Sequence, residues 1–429
     1  MKLSDIKKVH FIGIGGIGIS GLARLFVHEG KEVSGTNDNP SPQTLDTLRE
    51  MGVSISLDAT VLPEADLYVY SEAWHNMNPT FLQKAFDSGI PTINYFDALG
   101  MVANEYYLIA VAGSHGKTTT TAVLIDIFEE AGLDPSAIVG SLRAKTKSNY
   151  RAGKSKYFIV EACEYRRDFM SLTPDVLVIT NIEHEHVDYY KNLGEVQQAF
   201  HELALQVREG GTVIANLSDD KVRPCIENLA CSIVDYSKYF DPTQKLTMPG
   251  VHNQMNAAAA KAAAEFAGIS TEVSKNALEN FAGTWRRFEY KGEVNGAKIY
   301  DDYGHHPTEI KATVAGAREL YPERKLTLVF QSHTYSRTQE LFADFIDALG
   351  TADKIILLPI YAAREDNLSG VTHTKLAAML EKNNKNVVAL DTFEAVADEL
   401  RENIGQDDLV LVMGAGNVTN VTKLLFGIQ

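Results

Sequence analysis

Cysteine is scarce in this chain: three in 429 residues, Cys163, Cys225 and Cys231, with no Cys-x-x-Cys spacing. An odd, scattered set offers neither a disulfide framework nor a zinc pattern, and a reduced, intracellular setting is expected. Basic residues are in deficit, 40 Lys and Arg against 56 Asp and Glu, for a formal net charge of −16. That balance argues against a nucleic-acid binder, which needs a basic face to neutralise phosphates. It still permits small anionic ligands, held by backbone amides and a few placed cations. No stretch approaches the roughly 20 apolar residues of a membrane helix. The opening MKLSDIKKVH lacks the apolar run and cleavage site of a signal peptide. The expectation is a cytoplasmic protein without nucleic-acid or membrane partners. Repeats, heptads and low-complexity tracts are missing as well.

What is present is the composition of a globular protein, 45% hydrophobic and 22% charged. Strand-like apolar runs alternate with helical patterns from end to end, the signature of α/β layers with mainly parallel sheets. The runs at 9–15, 32–37, 67–73 and 91–97 form a first series. Those at 107–113, 156–162, 175–183 and 212–216 form a second. Around 282–293 the texture changes, and a third series follows at 298–303, 326–331, 354–361, 387–391 and 408–416. The length exceeds what one core supports. Three α/β domains are expected, at 1–104, 105–284 and 285–429: a Rossmann-like N-terminal domain, a central phosphate-loop ATPase-type domain, and a Rossmann-like C-terminal domain.

Two glycine clusters follow strands. In the first, Gly13-Ile-Gly15-Gly16-Ile17-Gly18 stands between the strand and a helix beginning near Ser20. Glycines there let backbone amides approach a pyrophosphate at a helix N-terminus. The pattern suits NAD or FAD, another nucleotide-linked ligand, or merely a tight turn. In the second, VAGSHGKTTTT (111–121), Gly113, Ser114, His115, Gly116, Lys117, Thr118 and Thr119 form a phosphate-binding loop. Lys117 suits β- and γ-phosphates and the Thr118 hydroxyl suits Mg²⁺. Val111 occupies the outer glycine position of the Walker pattern, so a shortened G-x-x-G-K-T remains.

The next two strands end in Glu161 and in the tract Glu183-His184-Glu185-His186. Glu161 is placed at a sheet edge beside the phosphate loop, with His186 able to share its metal. The tract lacks the H-E-x-x-H spacing of a zinc site, and a solvated charge run is its plain alternative. His252 and Asn256 share one helix face and suit an adenine, unless Asn253 merely caps the helix. Arg286 and Arg287 stand at the change of texture. YDDYGHHPTEI (300–310) and FQSHTYSRT (330–338) set polar side chains directly after strands, where they line clefts.

Taken in order, HFIGIGGIGISGLA, AGSHGKTTTT, TNIEHEHVDYY, GVHNQMNAAAA, RRFEYKG, DDYGHHPTEI, FQSHTYSRT and IYAAREDNLSGV make the chain resemble the Mur ligase family over essentially its whole length. The resemblance implies an ATP- and Mg²⁺-dependent ligase of peptidoglycan synthesis, acting through an acyl phosphate. Its implied substrates are UDP-N-acetylmuramate, ATP and L-alanine, and its implied state is a monomer or weak homodimer. The sugar nucleotide then belongs to Gly13, Gly15, Gly16, Ile17, Gly18, Asn37 and Ser71. ATP belongs to the loop 113–119 with His252, Asn256, Arg287 and Asp302, and the metal to Thr118, Glu161 and His186. The catalytic set is Lys117, Glu161, His186 and Arg287, and the amino acid falls to Tyr303, His333 and Arg337. Three substrates on three domains imply that the C-terminal domain closes to exclude water.

Three positions depart from the family pattern: Cys163 and the arginines after Glu161, where an acidic stretch is expected; Thr334, where a second arginine is expected; and Asn37, where an aspartate is expected. The first two leave open an acceptor that is a whole murein peptide. A dinucleotide-dependent oxidoreductase would leave the second loop idle, and a regulatory nucleotide-binding protein would leave the third domain's polar strand ends idle. Arg166 and Arg167 are expected to favour a Cys163 thiolate, against the alternative of a buried inert thiol.

Overall fold

The computed structural model describes residues 3–38, 42–187, 189–363 and 365–427. Its strands build three sheets. The first holds β1 (Lys8–Ile12), β2 (Glu32–Thr36), β3 (Ser54–Ser56), β4 (Leu67–Tyr70) and β5 (Thr92–Asn94), in the order β3-β2-β1-β4-β5. The second holds β6 (Tyr107–Ala112), β7 (Ser136–Arg143), β8 (Ser148–Arg151), β9 (Tyr157–Glu161), β10 (Val176–Ile179), β11 (Thr212–Ala215) and β12 (Ser232–Asp235), in the order β12-β11-β10-β6-β9-β7-β8. The third holds β13 (Glu289–Val294), β14 (Ala297–Asp302), β15 (Lys325–His333), β16 (Lys354–Tyr361), β17 (Val387–Ala389) and β18 (Asp408–Met413), in the order β13-β14-β18-β15-β16-β17. The described pairings are parallel except β7 with β8 and β13 with β14. The expected α/β architecture with mainly parallel sheets is what the chain adopts.

The chain divides into two compact units. The first, Met1–Glu183 with Leu193–Phe240 and Asn256–Phe281, carries the first two sheets. The second, His184–Asn192 with Asp241–Met255 and Ala282–Gln429, carries the third. Among the described residues no helix is long and apolar enough to cross a membrane.

Central parallel strands are covered by helices on both faces, so they read as unbroken apolar runs. Leu108 to Ala112 of β6 and Val176 to Ile179 of β10 are all buried. The chemistry sits where each run stops, in the crevice outside the carboxyl ends of the strands. Gly13 follows β1, Ser71 follows β4 and Gly113 follows β6, while Glu161 closes β9 and Thr180 follows β10. Asp302 closes β14 and His333 closes β15, and Gly414 follows β18.

Several boundaries differ from expectation, the runs at 9–15, 67–73, 175–183 and 408–416 leaving their strands at Ile12, Tyr70, Ile179 and Met413. The first helix spans Ile17–His28 and so begins three residues before Ser20, directly on the glycine loop. The run 91–97 stops being a strand at Asn94, because its side chain accepts from the Asp97 amide (2.8 Å) and caps the helix Tyr95–Ala103. Strands β3, β7, β8, β12 and β13 were not among the expected runs.

Candidate active site

The first glycine loop is held shut by its own neighbours. Gly13 and Ile14 donate to Thr36 O (2.7 and 3.2 Å), and Gly13 adopts φ 84°. A Cβ on Gly13 would run into the Trp74 indole and lie 3.2 Å from Ser71 Cβ, so only glycine fits both the angle and the space. Asn37 Oδ1 accepts from the Gly15 amide (3.1 Å), and Ser71 N donates to Ile12 O (3.0 Å). The seven residues expected to hold the sugar nucleotide thus lie at the carboxyl ends of β1, β2 and β4, beside the point where the strand order reverses.

This loop is anchored from the second sheet. Asn149 on β8 donates to Ile17 O (2.6 Å) and accepts from Arg24 Nη2 (2.5 Å), while Arg24 Nε donates to Ser20 O (3.2 Å). Both side chains are buried. Sequence reasoning missed this clasp, whose members lie more than a hundred residues apart.

The second loop, between β6 and the helix Lys117–Glu130, is cradled by the end of β10. Ser114 N donates to Asn181 O (2.9 Å) and His115 N to Asn181 Oδ1 (2.9 Å). Thr180 Oγ1 and Asn181 Nδ2 donate to His115 O (2.6 and 2.9 Å). Glu183 N donates to Ser114 Oγ (2.7 Å), and Glu183 Oε2 lies 3.1 Å from His115 Nε2. Gly116 takes φ 81° at the helix N-cap, and a Cβ there would collide with the Asn256 carboxamide. Asn256 therefore packs against the phosphate loop itself. The result is a rigid turn whose helix N-terminus favours an anion.

Lys117 Nζ donates to Gly113 O (2.6 Å), Ser114 O (3.0 Å) and Glu164 Oε1 (2.8 Å). Thr118 Oγ1 donates to Glu161 Oε1 (2.8 Å), and Gly140 N donates to Glu161 Oε2 (2.6 Å). A hydroxyl and a carboxylate thus converge beside the phosphate loop, the hard oxygen set that Mg²⁺ prefers. Thr119 follows in the first helical turn and is buried.

Cys163 corrects an expectation. Burial first, and then the neighbouring Glu164 carboxylate, push its thiol well above the ordinary range, with Lys117 opposing only in part. The arginines meant to favour a thiolate are directed elsewhere: Arg167 pairs with Glu202, and Arg166 faces Glu72. These surroundings favour the protonated thiol at Cys163.

In the second unit, Arg286 is buried and donates to Asp301 Oδ1 (3.1 Å), Gly416 O (2.9 Å) and Gly414 O. Its own carbonyl accepts from Tyr303 N (2.6 Å), and the Tyr303 ring lies 5.1 Å from the Arg287 guanidinium. Asp302 accepts from Phe288 N and Gly304 N, both at 2.7 Å. Burial raises its carboxyl to about 6, against the pull of Arg287. His333 Nδ1 lies 3.3 Å from Arg337 Nη1 and its ring stacks on Tyr361 at 5.5 Å. Burial and then Arg337 lower His333 to about 4; burial lowers His305, 6.0 Å away ring to ring, to about 3. Both imidazoles are neutral at physiological pH.

His186 belongs to this unit, in the left-handed region at φ 54°, with its carbonyl accepting from Tyr189 N (2.8 Å) and Tyr190 N (2.9 Å). His252 packs its imidazole against Gly250, one helical turn before Asn256.

The chain matches three family models in succession: the Mur ligase family catalytic domain over residues 8–107, the Mur ligase middle domain over 111–244, and the Mur ligase glutamate ligase domain over 286–416. It is 39% identical to the UDP-N-acetylmuramate–L-alanine ligase of Caldanaerobacter subterraneus, across 98% of this chain and 97% of that protein. Its fold matches the UDP-N-acetylmuramate–alanine ligase of Thermotoga maritima with a TM-score of 0.80, at 23% identity and 98% coverage of both chains. A murein peptide ligase of Psychrobacter arcticus matches with a TM-score of 0.71, at 22% identity and 98% coverage of both chains.

Proposed function

The chain belongs to the Mur ligase family, and on that premise we propose that it is an ATP-dependent ligase joining the carboxylate of UDP-N-acetylmuramate to the amine of L-alanine. The observation that carries the reading is the phosphate loop, with Lys117 at its centre and Thr118 bonded to Glu161, in a chain related end to end to an alanine-adding enzyme. The setting would be peptidoglycan precursor synthesis in the cytoplasm, with domains at 1–104 for the sugar nucleotide, 105–284 for ATP and 285–429 for the amino acid.

A carboxylate is a poor acylating agent at neutral pH, because its carbonyl carbon carries no adequate leaving group. A carboxylate oxygen of the donor attacks the γ-phosphorus of ATP, the bond to ADP breaks, and an acyl phosphate forms. The neutral amine then attacks the carbonyl carbon, a proton is lost from nitrogen, and inorganic phosphate leaves with the carbon–oxygen electron pair. Lys117 and the amides opening the helix Lys117–Glu130 stabilise charge on the transferring phosphoryl group. Thr118 and Glu161 offer the oxygen ligands that would hold Mg²⁺, which when bound neutralises phosphate charge.

Arg337 would pair the carboxylate of the amino acid. His333, uncharged and with Nδ1 accepting from Arg337, presents Nε2–H as a donor to the acceptor pocket and does not repel an ammonium. The acyl phosphate is the step to test. Hydroxylamine added to enzyme, ATP and UDP-N-acetylmuramate, with alanine omitted, should yield the donor hydroxamate. ADP formation upon adding alanine, with no hydroxamate ever trapped in its absence, would count against the route.

A further inference from the structure

The stretch after Glu161 serves the phosphate loop through Glu161 and Glu164, and Arg167 is tied to Glu202. Arg166 is left over. Both arginines occupy the left-handed region, Arg166 at φ 52° and ψ 20° and Arg167 at φ 64° and ψ 27°. Two consecutive non-glycine residues there are rare, and such strain gathers where a side chain must be presented at a functional site. The Arg166 side chain is 56% exposed, and its described ion pair is a loose one, Nη1 to Glu72 Oε2 at 3.9 Å.

That contact brings a side chain from the segment Tyr165–Ser171, after β9, to Glu72, the residue next to Ser71 beside the first glycine loop. Glu72 follows Ser71, whose Cβ lies 3.2 Å from the place a Cβ on Gly13 would take. The surroundings are acidic. Asp168 is raised to about 7 by burial first, then by Glu72, with Asp97 and Glu164 adding to the effect and Arg166 opposing it. A cation at this rim offsets the repulsion that a sugar nucleotide with a diphosphate and a carboxylate meets there.

We propose that Arg166 is a donor-binding residue: its guanidinium exchanges Glu72 for an oxyanion of the sugar nucleotide on the Gly13–Gly18 loop. The assignment rests on the reading that this loop holds UDP-N-acetylmuramate. Arginine suits the task because its planar fork matches phosphate and carboxylate alike. The oxyanion belongs either to the diphosphate or to the lactyl carboxylate, and two ligands separate them. UDP-N-acetylglucosamine has the diphosphate alone, while UDP-N-acetylmuramate has both.

The test is calorimetric binding of both sugar nucleotides and of ATP to wild type, Arg166→Gly, Arg166→Lys and Glu72→Gln. Arg166→Gly relieves the backbone strain, so its melting temperature should be unchanged or higher. Its affinity for UDP-N-acetylmuramate should nevertheless fall about tenfold, the scale of one hydrogen bond to a charged group, with ATP affinity unmoved. Arg166→Lys should recover part of the loss, and Glu72→Gln should bind the donor more tightly than wild type. An equal loss for UDP-N-acetylglucosamine assigns the diphosphate; a loss confined to UDP-N-acetylmuramate assigns the carboxylate. Wild-type donor affinity in Arg166→Gly overturns the assignment and leaves the functional reading standing. A wild type that binds neither sugar nucleotide overturns both.

Discussion

Lys117 Nζ lies 2.8 Å from Glu164 Oε1, so the lysine of the phosphate loop is oriented by a carboxylate 47 residues away. Lys117→Ala should lower ADP formation by about 10²–10³-fold, the usual effect of removing a group that stabilises transition-state charge. Calorimetry on the same variant should show UDP-N-acetylmuramate affinity within twofold of wild type, because the sugar-nucleotide loop belongs to another sheet. Near-normal turnover in the folded variant would remove Lys117 from the catalytic set.

Glu161 is positioned by Gly140, whose amide reaches Oε2 at 2.6 Å. A Cβ at position 140 would stand 2.7 Å from both carboxylate oxygens. Gly140→Ala should displace the carboxylate and raise the Mg²⁺ concentration for half-maximal activity by about tenfold, close to the loss of one charged hydrogen bond. A Mg²⁺ titration of ADP release reads this directly. An unchanged requirement would mean that Glu161 does not hold the metal.

Much of this architecture was legible in the sequence because buried parallel strands announce themselves. Tyr107–Ala112 and Val176–Ile179 are apolar throughout, and the polar residue that ends such a run stands at the crevice. Two of the missed strands, β3 and β12, have a physical reason as well. Ser54–Ser56 is three residues long on an edge, and Ser232–Asp235 is partly exposed along its length, so neither carries a burial pattern. Thr180, Asn181, Glu183 and Glu164 escaped assignment because their partners lie 47 to 69 residues away, and no local spacing encodes such pairings. Asn149 on Ile17 is the extreme case, at 132 residues.

Stability should depend on Arg143. It is buried and pairs with Asp126 and with Glu129 (2.7 Å), the latter also bonded by Arg151 (2.6 Å) and Lys145 (3.1 Å). Arg143→Met removes the cation and strands the buried Asp126 carboxylate, which should cost roughly 3–5 kcal/mol in urea unfolding at pH 7. Burial would raise Glu129, but its hydrogen bonds from Arg143, Arg151 and Lys145 win and lower it to about 2. A depressed carboxylate stabilises the fold above its unfolded pKa and loses that contribution as pH falls from about 4.5 toward 2. Wild type should therefore weaken over that window, and Arg143→Met should show a flatter profile there.

Thr334 is a β-branched residue at φ 66°, beside His333 and Arg337. Thr334→Gly should relieve that strain and raise stability by about 1 kcal/mol in the same assay. Thr334→Arg adds the second cation that the family pattern leads one to expect, and should lower KM for L-alanine about tenfold if it contributes one charged hydrogen bond of ~1.5 kcal/mol. Steady-state kinetics at saturating ATP and donor decide it. A KM that stays put would place residue 334 outside the acceptor pocket.

Use of free L-alanine as the acceptor is the property on which the rest depends. It is tested by following ADP release and donor mass with UDP-N-acetylmuramate and ATP, alongside L-alanine, other amino acids, or an L-Ala-γ-D-Glu-containing murein peptide. One ADP per donor consumed, a product heavier by one alanine residue, and no turnover when donor or alanine is withheld are the expected outcome. A wild type that leaves the donor unchanged with alanine yet ligates the peptide would contradict it.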